Sequence, residues 1–323
     1  MKRANSLFDT IVSFDNLRLA YLKARRKKTS KKVVQNFARN VNANLETIRQ
    51  RLIAVPPDLS PYTQFKIFDP KERTITVAPF PDRIIHHAIM NVLEPIFERQ
   101  MIYHTYACRK GKGTHAAARY ARTCCRKAQW FLKLDVRKYF DSVSHAVLKR
   151  QLTRIIKDGR TLSLLFTIID GYHSPLSSES EGRGLPIGNL TSQFFANLYL
   201  SSLDHFVLEQ LGLRGYVRYM DDFLLFGDSP QQLRAALSTI ETFCREELSL
   251  ALKPAVFGKT KDGVAFLGWL ISTSHTTLTQ KTRHRLKQTL HAINTDWELG
   301  RITDTQALIR TNATISCREI EST

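Results

Sequence analysis

Two adjacent carboxylates, Asp221 and Asp222, stand between the apolar runs Tyr216-Val217-Arg218-Tyr219 and Phe223-Leu224-Leu225-Phe226. Neighbouring acids repel each other unless a cation lies between them, so the arrangement reads as a hairpin tip that recruits a divalent metal through oxygen ligands. A further acid, Asp135, ends the apolar run Trp130-Phe131-Leu132-Lys133-Leu134, which has the character of a buried strand delivering one carboxylate at its C-terminal edge. Between these acid-bearing segments, the stretch from Gly184 through Leu185-Pro186-Ile187-Gly188-Asn189-Leu190-Thr191-Ser192-Gln193 to Asn197 reads as a Gly/Pro loop opening a helix.

The elements that must position these groups follow from periodicity. Residues 15–55 are predicted helical, with Leu17, Tyr21, Leu45, Ile48 and Leu52 at helix spacing and Pro56-Pro57 as the stop. The cluster Lys23, Arg25, Arg26, Lys27, Lys28, Lys31 and Lys32 falls inside this region; it is either a solvated helix end or a phosphate track. Tyr62–Phe68 and Arg73–Val77 are predicted strands joined by Asp69-Pro70-Lys71-Glu72. A helix after Pro79 and Pro81 has Ile84, Ile85, Ala88, Ile89, Val92 and Leu93 on one face; His86 and His87 point to different sides and read as structural. Arg109, Lys110 and Lys112 lie in a glycine-bearing loop whose spacing is not that of a nucleotide-binding P-loop. From Trp130 onward the spacing predicts strand 130–135, a helix from about Ser144, loop 173–184, helix 189–211, a strand pair around Asp221, helix 230–248 and strand 250–253. That order is β-α-β-β-α-β with one helix added, a ferredoxin-like plan that sets Asp135 and Asp221 on adjacent central strands. Residues 276–323 read as helical and basic, with Leu286, Leu290 and Ile293 as core face.

Composition narrows the partners. The 323 residues carry 48 Lys and Arg against 29 Asp and Glu, a net charge of +19, and 43% are hydrophobic. A chain this apolar buries a core, so the charge belongs to a folded surface and points to polyanions, nucleic acid first. No apolar segment reaches the length of a membrane span and no signal-like start is present, so a cytoplasmic location is expected. Five cysteines without Cys-x-x-Cys spacing support neither a disulfide framework nor a zinc site.

In order and spacing, the blocks around Asp135, Leu185–Gln193 and Tyr219–Asp222 resemble the palm of reverse transcriptases, and the Leu-Pro-Ile-Gly-Asn-Leu-Thr-Ser-Gln wording is most similar to the branch found in diversity-generating retroelements. The resemblance implies an α+β right-hand polymerase: fingers over 1–129, a palm over 130–275 with a fingers insertion at about 144–183, and a short helical thumb over 276–323. It implies a bacterial or phage-encoded enzyme that copies a template RNA into cDNA from a primer with dNTPs, error-prone at template adenines, in mutagenic retrohoming. A small basic helical accessory protein, of the accessory variability determinant type, is the implied partner. The length leaves no room for an RNase H, maturase or endonuclease domain. Two other readings stay open: a retron or group II intron-like reverse transcriptase, and a catalytically inactive RNA-binding relative.

The chemistry so implied is in-line attack of a 3′-hydroxyl on an α-phosphate, with charge growing on the entering and leaving oxygens. Two Mg2+ ions, with Mn2+ as a substitute, stabilise that charge; Asp135, Asp221, Asp222 and the Val136 carbonyl are the implied ligands. Lys253 is placed to protonate departing pyrophosphate, with Lys259 as the rival. The fingertip hairpin places Lys66, Lys71 or Arg73 near the triphosphate. Phe140, five residues beyond Asp135, occupies the place of a ring that excludes a ribose 2′-hydroxyl. Ile187 stands where many relatives carry glutamine, so discrimination at the nascent pair is expected to weaken. Gly188 lets backbone approach the template pair, and Gln193 and Asn197 share a helix face. Arg109, Lys110 and Lys112, the primer-grip-like Phe266-Leu267-Gly268-Trp269 with Gly268 and Trp269, and thumb residues Lys281 and Arg285 are the expected nucleic-acid contacts.

Overall fold

The computed structural model describes residues 3–68, 72–178 and 181–316, without the side chain of Arg73; Lys71 and Cys317 lie outside the described residues. The strands, in chain order, are β1 (Thr63–Phe68), β2 (Glu72–Val77), β3 (Trp130–Asp135), β4 (Gly215–Tyr219), β5 (Asp222–Gly227), β6 (Val256–Lys259), β7 (Val264–Phe266), β8 (Trp269–Ile271) and β9 (Thr276–Leu278). They form the hairpin β1-β2, a four-stranded sheet ordered β4-β5-β3-β6, and a three-stranded sheet β7-β8-β9. The four-stranded order is the predicted ferredoxin-like one.

The chain packs as two compact units. One comprises Met1–Tyr103, Val136–Phe206 and Ile240–Lys253; the other His104–Asp135, Val207–Thr239 and Pro254–Thr323. In the first, helix Phe80–Glu98 buries Ile84, Ile85, Ala88, Ile89, Leu93 and Phe97. Buried Asn16, on helix Phe14–Arg25, donates from Nδ2 to the Ala88 carbonyl at 3.0 Å. The 15–55 region is helical as predicted, but in three pieces, Phe14–Arg25, Lys32–Arg39 and Val41–Ile53.

In the second unit one hydrophobic cluster lies on one face of the sheet. Phe131, Val217, Leu224 and Phe226 pack with Ala117, Ala121 and Cys125 of helix Thr114–Lys127 and with Phe266, Trp269 and Ile271. Strand alternation puts Phe131, Lys133 and Asp135 on that same side, so the residues that follow the core outward along β3 are first a cation and then an acid.

Three predicted elements require correction. The strand expected at 250–253 is absent: Leu252 makes an isolated bridge to Val136, and the edge strand is β6, which pairs with 130–133 of β3. Pro254 lacks the N–H that a ladder needs, so regular pairing starts beyond it. The helix expected over 189–211 is broken into Leu190–Tyr199, Ser201–His205 and a π-turn at Phe206–Gln210. Helices Gln280–Glu298 and Asp304–Ser316 bury no residue at all; Leu286, Leu290 and Ile293 are only half-buried.

Candidate active site

The acids meet through strand register. β3 and β5 pair antiparallel with Asp135 directly opposite Asp222, Lys133 opposite Leu224 and Phe131 opposite Phe226. Directly opposed residues have Cβ atoms about 5 Å apart, so carboxylates separated along the chain share one end of one sheet face. Asp221 joins them from the hairpin loop: Tyr219 pairs with Asp222, leaving Met220 and Asp221 as the connection. A two-residue loop demands positive φ, and Met220 supplies it at φ 57° without being glycine. The fully buried Arg218 donates from Nη1 to the Met220 carbonyl at 2.9 Å, holding that left-handed turn in place.

Burial acts most strongly on Asp222. Its carboxyl pKa is pushed up from 3.8 to about 6, first by desolvation and further by Asp135 and Asp221, against the opposing pull of Lys133. Lys133 Nζ lies 3.2 Å from Asp222 Oδ2 and donates to the Ala265 carbonyl at 2.8 Å. The other oxygen, Asp222 Oδ1, is buried with no hydrogen-bond partner. A buried acceptor of this kind, beside two further carboxylates, suits a hard divalent cation. Among the described residues no group of three or more His, Cys, Asp or Glu side chains is placed to hold a metal ion, so a cation beside Asp222 would draw most of its ligands from water or phosphate oxygens. Lys133 escaped the sequence reading, although its i, i+2 relation to Asp135 on a strand was the available signal.

The basic loop belongs to the same unit. Arg218 N donates to the His104 carbonyl at 3.0 Å and Tyr106 N donates to the Arg218 carbonyl at 2.9 Å, so segment 104–106 lines the strand that leads to the acids. Beyond it, Arg109 Nη1 donates to the Thr105 carbonyl at 2.8 Å, Lys112 Nζ sits 5.1 Å from the centre of the Tyr106 ring, and Lys110 is exposed. The expected nucleic-acid contact at Trp269 is overturned: the ring is 5% exposed and in the core, because β8 alternation turns residues 269 and 271 inward together. Gly268 forms the β7-β8 turn with Leu267, at φ 93° and 51°. Lys281 is exposed and Arg285 half-buried on helix 280–298.

In the other unit the glycine loop is tied to three segments. Leu185 N donates to the Phe140 carbonyl at 2.7 Å, Gly184 N to the Val143 carbonyl at 2.8 Å, and Thr76 N to the Ile187 carbonyl at 2.9 Å. Asn189 Oδ1 accepts from Ala78 N at 2.9 Å, and Thr191 Oγ1 pairs with His86 Nδ1 at 2.9 Å. Gly188, at φ 120°, is tightly approached: an added Cβ would lie 3.0–3.1 Å from Ile75, Thr76 and Val77. Phe140, Ile187 and Gly188 therefore gather at the base of the β1-β2 hairpin, with Phe140 and Ile187 half-buried and Gly188 exposed.

Other expected residues stand apart from that group. Lys66 lies toward the hairpin tip, where its Nζ is 2.6 Å from Glu72 Oε1, and Arg73 pairs with Ile67. On the helix after the loop Gln193 is exposed and Asn197, one turn further on, is buried. Val136 is fully buried, and the neighbouring Arg137 N donates to the Ala251 carbonyl at 2.8 Å, which brings exposed Lys253 close along the chain to the residue after Asp135. Lys259, its rival, pairs with Trp130, at the opposite end of β3 from Asp135. His86 is buried neutral, its pKa lowered to about 4 by desolvation and by His87.

Residues 68–271 match the family model described as "Reverse transcriptase (RNA-dependent DNA polymerase)". The chain is 26% identical over 272 residues to Protein YkfC of Escherichia coli K12, covering 69% of this chain and 70% of that protein. It is 29% identical over 140 residues to the group II intron-encoded protein LtrA of Lactococcus lactis subsp. cremoris, 43% of this chain but only 23% of that one. Among solved structures, apo telomerase from Candida Tropicalis superposes with a TM-score of 0.56 at 10% identity, over 73% of this chain and 52% of that chain. The chain thus spans about half the length of the telomerase it matches and under a quarter of LtrA.

Proposed function

Since the chain belongs to the reverse transcriptase family, a family of RNA-directed DNA polymerases, we propose that it extends a primer with dNTPs on a template RNA, using divalent metal held by Asp135, Asp221 and Asp222. The observation that carries this reading is the β3-β5 register opposing Asp135 to Asp222, with Asp221 in the adjoining turn. Magnesium bound there would neutralise charge developing on the entering and leaving oxygens of the phosphoryl transfer. The chain's own groups do the rest. Lys133 holds Asp222 toward the acid cluster, Arg218 fixes the turn that aims Asp221, the Val136 carbonyl is the supplementary oxygen, and Lys253 is the proton donor to the leaving group.

Substrate choice rests on the other unit. Phe140 acts as the ring that rejects a 2′-hydroxyl, Gly188 lets backbone reach the template pair, and Ile187 weakens discrimination because an aliphatic side chain makes no hydrogen bond to the nascent pair. Lys66 and Arg73 are proposed triphosphate contacts; Lys66 must first leave Glu72. Gln193, Arg109, Lys110, Lys112, Gly268, Lys281 and Arg285 are proposed contacts to the nucleic acid. The loop wording supports a diversity-generating retroelement enzyme with a basic helical accessory protein. The relatives found, group II intron proteins among them, favour a group II intron-like enzyme as the second reading.

The test is extension of a DNA primer on RNA with magnesium, with and without such an accessory protein. Asp221→Asn/Asp222→Asn is expected to abolish incorporation; survival of incorporation would overturn the site. Misincorporation opposite template adenines, compared between wild type and Ile187→Gln, separates the two branches. Equal error at all four template bases would remove the retroelement reading.

A further inference from the structure

The far end of the strand that bears Asp135 carries a second, oppositely charged site. A cleft of about 540 Å³ opens there, lined by Arg126 and Lys127 at the end of helix Thr114–Lys127, by Trp130, and by Lys259 and Lys261, with Asp228 as the one acid among them. All four cations are exposed, yet they come from separate stretches of chain, so this is not a single solvated charge run. The floor between them is rigid. Thr260, 2% exposed, donates from N to the Gln129 carbonyl at 3.0 Å and from Oγ1 to the Ala128 carbonyl at 2.6 Å. Lys259 Nζ lies 5.3 Å from the centre of the half-buried Trp130 ring, which places an aromatic surface beneath a phosphate-seeking cation.

We infer that this cleft is a nucleic-acid backbone site outside the catalytic end, gripping template RNA well away from the primer terminus. The inference rests on the polymerase reading for the identity of the polyanion. Lys259 pairs with Trp130, and Asp135 lies five residues further along the same strand, a separation of roughly 17 Å at the rise of an extended chain. An RNA occupying the catalytic end alone cannot contact the cleft unless it extends several nucleotides farther. Concavity, an aromatic floor and a fourfold excess of cations over acids are the combination that single-stranded nucleic acid uses: phosphates meet the cations and a base stacks on the ring.

The experiment compares two RNAs, a short template that ends near the primer terminus and one with a long extension. The enzyme variants are Lys259→Glu/Lys261→Glu and, as a control with the same change in net charge, Arg160→Glu/Arg245→Glu at exposed positions elsewhere. The cleft variant is expected to bind the long RNA about tenfold or more weakly, with a shallower dependence on salt, by about 0.7 in the logarithmic slope for each phosphate that a cation no longer neutralises. Its extension of the short template should stay within about twofold of wild type. Equal weakening by the control, equal weakening on both RNAs, or no weakening overturns the inference, as does tighter binding to anionic vesicles than to the long RNA. Wild-type enzyme that binds both RNAs but extends neither would defeat the polymerase reading while leaving the length comparison intact.

Discussion

The acid-bearing end of the sheet and the glycine loop achieve placement by opposite means. At the sheet end, ladder register opposes Asp135 to Asp222 and the turn adds Asp221; burial first, and these two acids after it, push the Asp222 carboxyl up to about 6 against the pull of Lys133. The glycine loop carries no charge and is fixed by hydrogen bonds to Phe140, Val143, Thr76 and Ala78. The first region holds a desolvated carboxyl whose charged form a cation would stabilise. The second stores position and is sensitive to shape rather than to charge. If this contrast holds, charge-neutralising substitutions should damage chemistry but not folding at the first site, and shape changes should damage binding geometry at the second.

The largest effect is expected at Asp135 and Asp221. Replacing either with Asn should lower kcat by about a thousandfold or more, with RNA affinity nearly unchanged, measured by single-turnover extension alongside binding. A parallel fall in RNA affinity would mean that the acids hold the fold rather than the metal.

Stability against pH sharpens the contrast next, in metal-free protein. The native Asp222 pKa lies above its unfolded value, so its charge costs stability as pH rises from about 4 through 6; the difference corresponds to roughly 3 kcal/mol. Asp222→Asn should therefore raise the urea midpoint at neutral pH, and the gain should vanish below pH 4. His86 runs the other way. Its native pKa of about 4 lies below 6.5, so its buried neutral ring contributes stability that is lost as pH falls from 6.5 toward 4, again roughly 3 kcal/mol. Relative to wild type, His86→Gln should lose its handicap as pH falls through that window. A pH-independent difference for either variant would show that the group does not titrate as its surroundings demand.

What was legible in the sequence divides along the same line. Asp135, Asp221 and Asp222 could be placed because alternation and a hairpin tip dictate register, and the strand order followed from the order of elements. Lys133 and Arg218 could not be assigned roles, since their partners, Asp222 with the Ala265 carbonyl and the Met220 carbonyl, depend on which face and which turn geometry the chain adopts. Trp269 was misread because a large aromatic in a short hairpin serves core and surface equally well until its inward face is known. The break at Pro254 was visible in the sequence, and the apolar run before it outweighed the missing N–H.

Third in size is Gly188→Ala. With φ at 120° and Ile75, Thr76 and Val77 at 3.0–3.1 Å from any added Cβ, the substituted backbone is strained and its neighbours on β2 must give by a few tenths of an ångström. The expected result is a ten- to hundredfold loss in kcat/KM for dNTPs, equivalent to about 1.4–2.7 kcal/mol, with little change in metal dependence. A loss that excess metal restores would reassign the glycine to the acid region and erase the contrast.

The smallest predicted effect isolates one hydrogen bond. Asn189 is 3% exposed, and its Oδ1 accepts from Ala78 N while its Nδ2 is buried with no hydrogen-bond partner. The amide cannot be turned over, because Nδ2 would then face an N–H. Only the acceptor matters to the β2 contact, so Asn189→Ala should raise KM for dNTPs several-fold, in line with about 1 kcal/mol for a buried hydrogen bond, and leave kcat nearly unchanged. Asn189→Asp keeps the acceptor but buries a charge beside a partnerless oxygen, so it should recover most of the KM only at acidic pH, where the carboxyl is neutral. If Asp and Ala behave alike even there, the loop is held by packing around Gly188 alone, and the hydrogen bond to Ala78 is incidental to where the template pair would lie.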